Sequence, residues 1–218
     1  ADNPGRIDLN FGNGNADWNH TNSIDYNEEL DQILLSIRSF SEIWIIDHSI
    51  STEEAAGPVG DLLYRWGNPQ AYGLGSNDDQ QLFGQHDAQW IPEGLPGAGN
   101  ILIFNNGSQR TRAYSSVDEI TPPIKDDGTY QLGFGDPYGP ASLLWSYEGE
   151  FLADHISGVQ RLSNGNTLIC DGPAGRFIEV TTEGEIVWEY SYGSDVFRVI
   201  AIASDDPRLD GLKMKPGE

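Results

Sequence analysis

Two histidines, His20 and His86, stand 66 residues apart, each at the entrance to a short stretch of strand character. His20 precedes Thr21-Asn22-Ser23-Ile24-Asp25-Tyr26, and His86 precedes Asp87-Ala88-Gln89-Trp90-Ile91. An imidazole pair brought face to face can act as nucleophile and general acid–base, or can bind a metal ion. The plainer alternative is a hydrogen bond from each ring that caps a loop. Of the other two histidines, His48 ends the run Ile46-Asp47-His48 and reads as a surface residue. His155, in Asp154-His155-Ile156-Ser157-Gly158, lies close to a third such entrance, about two residues upstream of a strict counterpart to His86. Arginines are few, and Arg38, Arg110 and Arg176 each come after an apolar run. A guanidinium beside two imidazoles suits an oxyanion, because its planar fork matches sulfate, phosphate or carboxylate. In so acidic a chain, pairing with nearby carboxylates is the competing role. Asn22, two residues after His20, and Arg38, after the second strand of the first blade, are candidates to touch a bound molecule.

Residues so far apart meet only if a repeated scaffold brings them together, and a repeat is present. Second strands are expected at Ile33-Leu34-Leu35, Ile101-Leu102-Ile103 and Thr167-Leu168-Ile169, spaced by 68 and 66 residues. Third strands follow at 43–46, 117–120 and 177–180, and fourth strands at 62–66, 143–147 and 186–190. Each fourth strand carries two aromatic residues two apart, hence on one face. The pattern predicts an all-β chain with helix nearly absent, a β-propeller segment of three four-stranded blades, half of a six-bladed ring. A non-propeller stacking of the same sheets is the alternative. The blades cover about 17–66, 85–147 and 157–190, with a tail over 191–218, all in one segment of 218 residues. Ile7 to Phe11 reads as a short edge strand. First strands of propeller blades line the central channel, so His20 and His86 should lie within roughly 12 Å, close enough to share one small anion. Three blades leave apolar flanks and open strand edges. The expected partner is therefore the remaining propeller half or a second copy of the chain.

Composition narrows the function classes. The net charge of −22, from 34 acidic and 12 basic residues, argues against nucleic acid or an anionic membrane as partner. The carboxylate surplus allows a structural calcium ion, but no EF-hand spacing appears and no other cofactor is expected. There is no G-x-S-x-G elbow, no GxxxxGK[ST] loop, and no CxxC or HExxH motif. No run approaches a membrane span. The one cysteine, Cys170, sits in an apolar run and reads as a buried, inert thiol. With no signal peptide and a first residue Ala1, the chain reads as a processed product or a piece of something longer.

Several motifs in order resemble one family. Asp17-Trp18-Asn19-His20-Thr21-Asn22-Ser23-Ile24-Asp25-Tyr26, Gly84-Gln85-His86-Asp87-Ala88-Gln89-Trp90, Asn100-Ile101-Leu102-Ile103-Phe104-Asn105-Asn106-Gly107 and Gln160-Arg161-Leu162-Ser163-Asn164-Gly165-Asn166-Thr167-Leu168 are similar to the bacterial arylsulfotransferase (aryl-sulfate sulfotransferase) family, in its C-terminal half. The resemblance implies a periplasmic or extracellular six-bladed propeller that moves a sulfuryl group between phenolic small molecules. It works without a nucleotide donor, through a transiently sulfated histidine. By motif, His20 and His86 are similar to two family active-site histidines, and Arg110 to the active-site arginine. The family's nucleophilic histidine belongs to a later blade, where this chain reads Ile156-Ser157-Gly158-Val159-Gln160 and offers only the offset His155. The alternative is a non-catalytic extracellular propeller, a binding or assembly module.

Overall fold

The computed structural model describes residues 3–11, 14, 16–108, 110, 112–132, 135–204 and 206–212. Among them, twelve strands form three antiparallel sheets of four. The first contains β1 (Thr21–Asn27), β2 (Gln32–Ile37), β3 (Glu42–Asp47) and β4 (Tyr64–Trp66). The second contains β5 (His86–Trp90), β6 (Ile101–Asn105), β7 (Ser116–Ile120) and β8 (Trp145–Glu148). The third contains β9 (Gly158–Arg161), β10 (Thr167–Asp171), β11 (Arg176–Val180) and β12 (Ile186–Ser191). Among the described residues the only α-helix is the single turn α1 (Thr52–Ala55), capped by Ser51 and Glu54.

The middle sheet shows why its second strand is apolar throughout. Successive side chains of β6 point to opposite faces. Ile101 and Ile103 join a core with Leu34, Ile43, Tyr64 and Trp66 of the first sheet. Leu102 and Phe104 join another with Val159, Ile169, Ile178 and Val180 of the third. A strand buried on both faces has no reason to alternate with polar residues.

Polar side chains of one first strand bind the backbone of the next. Ala88 N donates to Ser23 Oγ at 3.0 Å and Trp90 N to Asp25 Oδ2 at 2.8 Å. Val159 N donates to Asp87 Oδ2 at 2.9 Å, and Gln89 Nε2 to the Val159 carbonyl at 2.7 Å. The join occurs a third time in the tail. Ala201 N donates to Gln160 Oε1 at 2.7 Å, and Gln160 Nε2 donates back to the Ala201 carbonyl at 3.2 Å.

The aromatic pairs of the fourth strands lock neighbouring sheets. Tyr64 stacks on Tyr130 at 4.8 Å, and its hydroxyl donates to the Gly139 carbonyl. Trp66 Nε1 donates to the Pro140 carbonyl and Trp145 Nε1 to the Thr182 carbonyl, both in the following sheet's loops. The third pair, Trp188 on Tyr190, is stacked at 6.3 Å but half exposed.

One expectation fails. Ile7 to Phe11 is a turn, not an edge strand. Asp8 accepts from Asn10 N through its carboxylate and from Phe11 N through its carbonyl, so the aspartate closes the chain on itself. Phe11 then packs on Phe40 at 5.3 Å.

Candidate functional site

His20 sits immediately before β1 and His86 opens β5. Their ring centroids are 6.5 Å apart, edge to face. The two are not in strict register. His20 takes a left-handed backbone conformation at φ 48°, while in the second sheet that conformation falls on Asp87, at φ 50°. Strands β1 and β5 also carry a bulge here, between Thr21 and Ser23 and between His86 and Gln89. Bulges redirect side chains next to functional sites, and here they bring offset residues together. Asp87 holds its turn through the Val159 bond and an ion pair with Arg198 at 2.8 Å.

The two rings occupy different environments. His20 is part-exposed, and its Nδ1 hydrogen-bonds Asp17. His86 is only 4 % exposed, and its Nδ1 meets Asn106 Oδ1 at 2.8 Å. Burial pushes the His86 pKa down to about 4, with the charges of Arg38 and His20 adding and Asn106 and the Gly84 backbone opposing. His86 is therefore a neutral imidazole at neutral pH, with a lone pair available for attack.

Arg38 follows β2 in a one-turn 3₁₀ segment, Arg38–Phe40. It borders a cavity of about 290 Å³ whose walls include Phe83, Gly84, Gly107 and Asp154. Gly84 has φ +67°, and a Cβ added there would make an ordinary contact with Arg38 Cγ at 3.9 Å. The bond from His155 holds the Asp154 carboxyl below its ordinary pKa, and the Arg38 charge adds to this. Arg38 is thus a cation set between a neutral imidazole and a carboxylate.

The other candidates are placed differently. His155 Nδ1 bonds Asp154 Oδ1 at 2.6 Å, and about half of its side chain faces solvent. Arg110 is exposed in the turn after β6, closed by a bridge between Ser108 and Arg112. Arg112, which sequence reasoning passed over, is half-buried. Its guanidinium lies 3.9 Å from the Tyr114 ring centroid and 5.8 Å from that of Phe83, and donates to Ser116 Oγ. Asn22 Nδ2 donates to the Gln85 carbonyl at 2.7 Å, joining the first two sheets, while its Oδ1 is buried with no hydrogen-bond partner among the described residues. Arg176, expected after a second strand, is the first residue of β11 and pairs with Glu189. His48 bonds Asp31 on the surface. Among the described residues no group of three or more His, Cys, Asp or Glu is placed to hold a metal ion. Cys170 is buried, and burial raises its thiol pKa to about 12.

The His86 environment sets a pH dependence. Its folded pKa of about 4 lies below the ordinary 6.5. Between those values the unfolded chain binds a proton that the folded chain does not, so stability is lost as pH falls from about 6.5 towards 4. The loss from this group is on the order of 3 kcal/mol, since each tenfold change in proton affinity is worth about 1.4 kcal/mol. Half-buried Asp25 and buried Asp87, whose pKa values desolvation raises, work in the opposite direction. Comparison with His86→Gln isolates the histidine. Urea midpoints at pH 7 and 4.5 should differ more for the native chain than for the variant, and equal differences would refute the assignment.

A family model described as Arylsulfotransferase (ASST) matches residues 4–200. No curated protein is recognisably similar in sequence. Among solved structures, a protein of unknown function from Bacteroides caccae is 15 % identical, with 82 % of this chain and 48 % of that chain covered at a TM-score of 0.48. BamB from Moraxella catarrhalis is 11 % identical over 78 % of this chain and 36 % of its own, at a TM-score of 0.40. Virginiamycin B lyase from Staphylococcus aureus is 13 % identical over 83 % and 58 %, at 0.35. The chain thus spans about half the length of the first of these, 48 %.

Proposed function

The chain belongs to the arylsulfotransferase family, and from that premise we propose that its sheets are blades of a propeller that transfers a sulfuryl group from a phenolic sulfate ester to a phenol. The observation that carries this reading is the buried, neutral His86 facing His20 beside Arg38. The family's nucleophilic histidine belongs to a later blade, where this chain has no counterpart in register; here a His86 ring nitrogen attacks sulfur in its place. The N–S bond forms as the sulfur–aryl oxygen bond breaks, and the electron pair leaves on the phenol oxygen. His20, oriented by Asp17, gives that oxygen a proton and takes one from the acceptor phenol in the return step. Arg38 offsets charge on the sulfuryl oxygens as they pass between donor and acceptor. In this scheme Arg110 and His155 lie at the rim, and no nucleotide or metal enters the reaction. The family resemblance supports a site of action outside the cytoplasm.

The test is a two-substrate assay without nucleotide. The purified chain should release phenol from an aryl sulfate at a rate that rises with added acceptor phenol, with acceptor sulfate as the second product. Aryl sulfate bound but never turned over would favour the non-catalytic binding module instead.

The partner in this reading is the rest of the ring. The segment 196–203 receives the same backbone join that links the sheets to one another, in the place of a further first strand beside the third sheet. Phe197, Ile200 and Ile202 are exposed on it, and Trp188 and Tyr190 are exposed on β12 at the other edge of the same sheet. A second copy brings only sheets already complete with four strands, so further blades complete this edge better than a dimer does. Sedimentation at micromolar concentration should show association. A stable, well-folded 24.0 kDa monomer would contradict this part of the account.

A further inference from the structure

Asn106 is fully buried and uses its whole side chain. Its Nδ2 donates to the Ala153 carbonyl at 2.8 Å and to the Ile156 carbonyl at 3.0 Å. Carbonyl oxygens only accept, so the amide nitrogen must face them and cannot exchange places with the oxygen. Oδ1 is thereby turned to His86 Nδ1, at 2.8 Å. An amide oxygen also only accepts, so the ring hydrogen must reside on Nδ1. In a neutral imidazole the lone pair then lies on Nε2.

We propose that Asn106 is a positioning residue: it holds His86 in the Nδ1-protonated tautomer, Nε2 bare, and through the same amide fastens the 153–156 turn to that histidine. The proposal rests on the reading of His86 as nucleophile for its purpose, though its geometry does not. One amide oxygen sets the tautomer, and two amide hydrogens carry the turn that bears Asp154 and His155. Asp154 in turn walls the cavity that Arg38 enters. The anion-binding side of the site and the attacking nitrogen are therefore set from one residue. Ser115 provides a separate clip. Its hydroxyl donates to the Asn106 carbonyl and accepts from Ala153 N at 2.9 Å, and neither bond uses the Asn106 side chain. A variant at 106 thus keeps a tie to the turn. The charged and titratable groups acting on His86 are Arg38 and His20, which both disfavour its protonation, while the Gly84 backbone, a smaller influence than Asn106, favours it.

The experiment is ¹⁵N NMR of the histidine rings in the native chain at pH 7, with His86→Gln used to assign the signals. The proposal expects one His86 ring nitrogen, Nδ1, with its hydrogen attached, and Nε2 with the shift of a bare nitrogen. A hydrogen on Nε2 overturns it. In Asn106→Leu the Nδ1 preference should disappear, and kcat should fall at least tenfold with KM changed less than threefold. An unchanged tautomer in that variant also overturns the proposal. In Asn106→Asp the carboxylate should increase the proton affinity of His86 at least tenfold, read as an upward shift of its titration, and no shift would count against it. The native spectrum alone decides if neither variant folds. Failure of the transfer reaction is separable, because a chain that turns over no aryl sulfate yet shows the Nδ1-protonated ring sinks the enzymatic reading and leaves this one standing.

Discussion

His86→Ala is expected to abolish sulfuryl transfer, lowering kcat by roughly a thousandfold or more, as removal of a covalent nucleophile does. Alanine leaves no atom to carry the sulfuryl group, and His20 cannot substitute. Its ring lies at the more exposed side of the pair, where it serves the proton transfers and not the covalent step. The fold should survive. The variant leaves Asn106 Oδ1 without its donor in a buried place, a cost of about 1–3 kcal/mol, but keeps the two carbonyl bonds of the same amide. Initial rates of phenol release, paired with a thermal melt, separate the two effects. Activity within tenfold of the native chain would remove His86 from the centre of the mechanism.

Arg65→Met is expected to cost about 3–5 kcal/mol of stability, a large part of the 5–15 kcal/mol typical of a domain. Arg65 and Glu42 are both fully buried and form a two-pronged pair, with Arg65 Nε donating to Glu42 Oε1 at 2.9 Å. The guanidinium also lies over the Tyr72 ring at 4.4 Å and donates to the Arg6 carbonyl, tying the N-terminal segment down. Removing the cation strands a carboxylate in an apolar core, where Trp44 Nε1 is its only other side-chain donor among the described residues. The damage should reach the site. The Glu42 carbonyl accepts from Gln85 Nε2 at 2.7 Å, and Gln85 immediately precedes His86. The double variant Arg65→Met with Glu42→Leu should recover most of the loss, since replacing both partners leaves no buried charge. Urea unfolding of the three proteins checks this, and a double variant as unstable as the single one would show that packing rather than charge is responsible.

Much of the fold could be read from period and spacing, because burial on two faces leaves a clear mark. Ile101-Leu102-Ile103 is apolar without a break since both of its faces meet other sheets, and its counterparts recur 68 and 66 residues away. The aromatic pairs were legible for the same reason, although nothing in Trp188 and Tyr190 tells them from the covered pairs. The histidine pair emerged from its 66-residue spacing, yet that spacing hides a one-residue offset that only the left-handed residues and the bulges reveal. Asn106 was visible only as part of an Asn-Asn-Gly turn. Its role depends on the 153–156 turn folding back across about 50 residues, a long-range contact that leaves no local periodicity. Ile7 to Phe11 misled because its alternation resembles a strand, while Asp8 supplies a local bond that competes with pairing.

The most direct measurement is rapid mixing of the chain with an aryl sulfate in the absence of acceptor, followed by base quench and peptide mass analysis, since a sulfated imidazole is to be trapped before it hydrolyses. The account predicts one added sulfuryl group, on the peptide containing His86, discharged when a phenol is supplied. A burst of phenol release with the label on His20 or His155, or no covalent label at all during turnover, would contradict it.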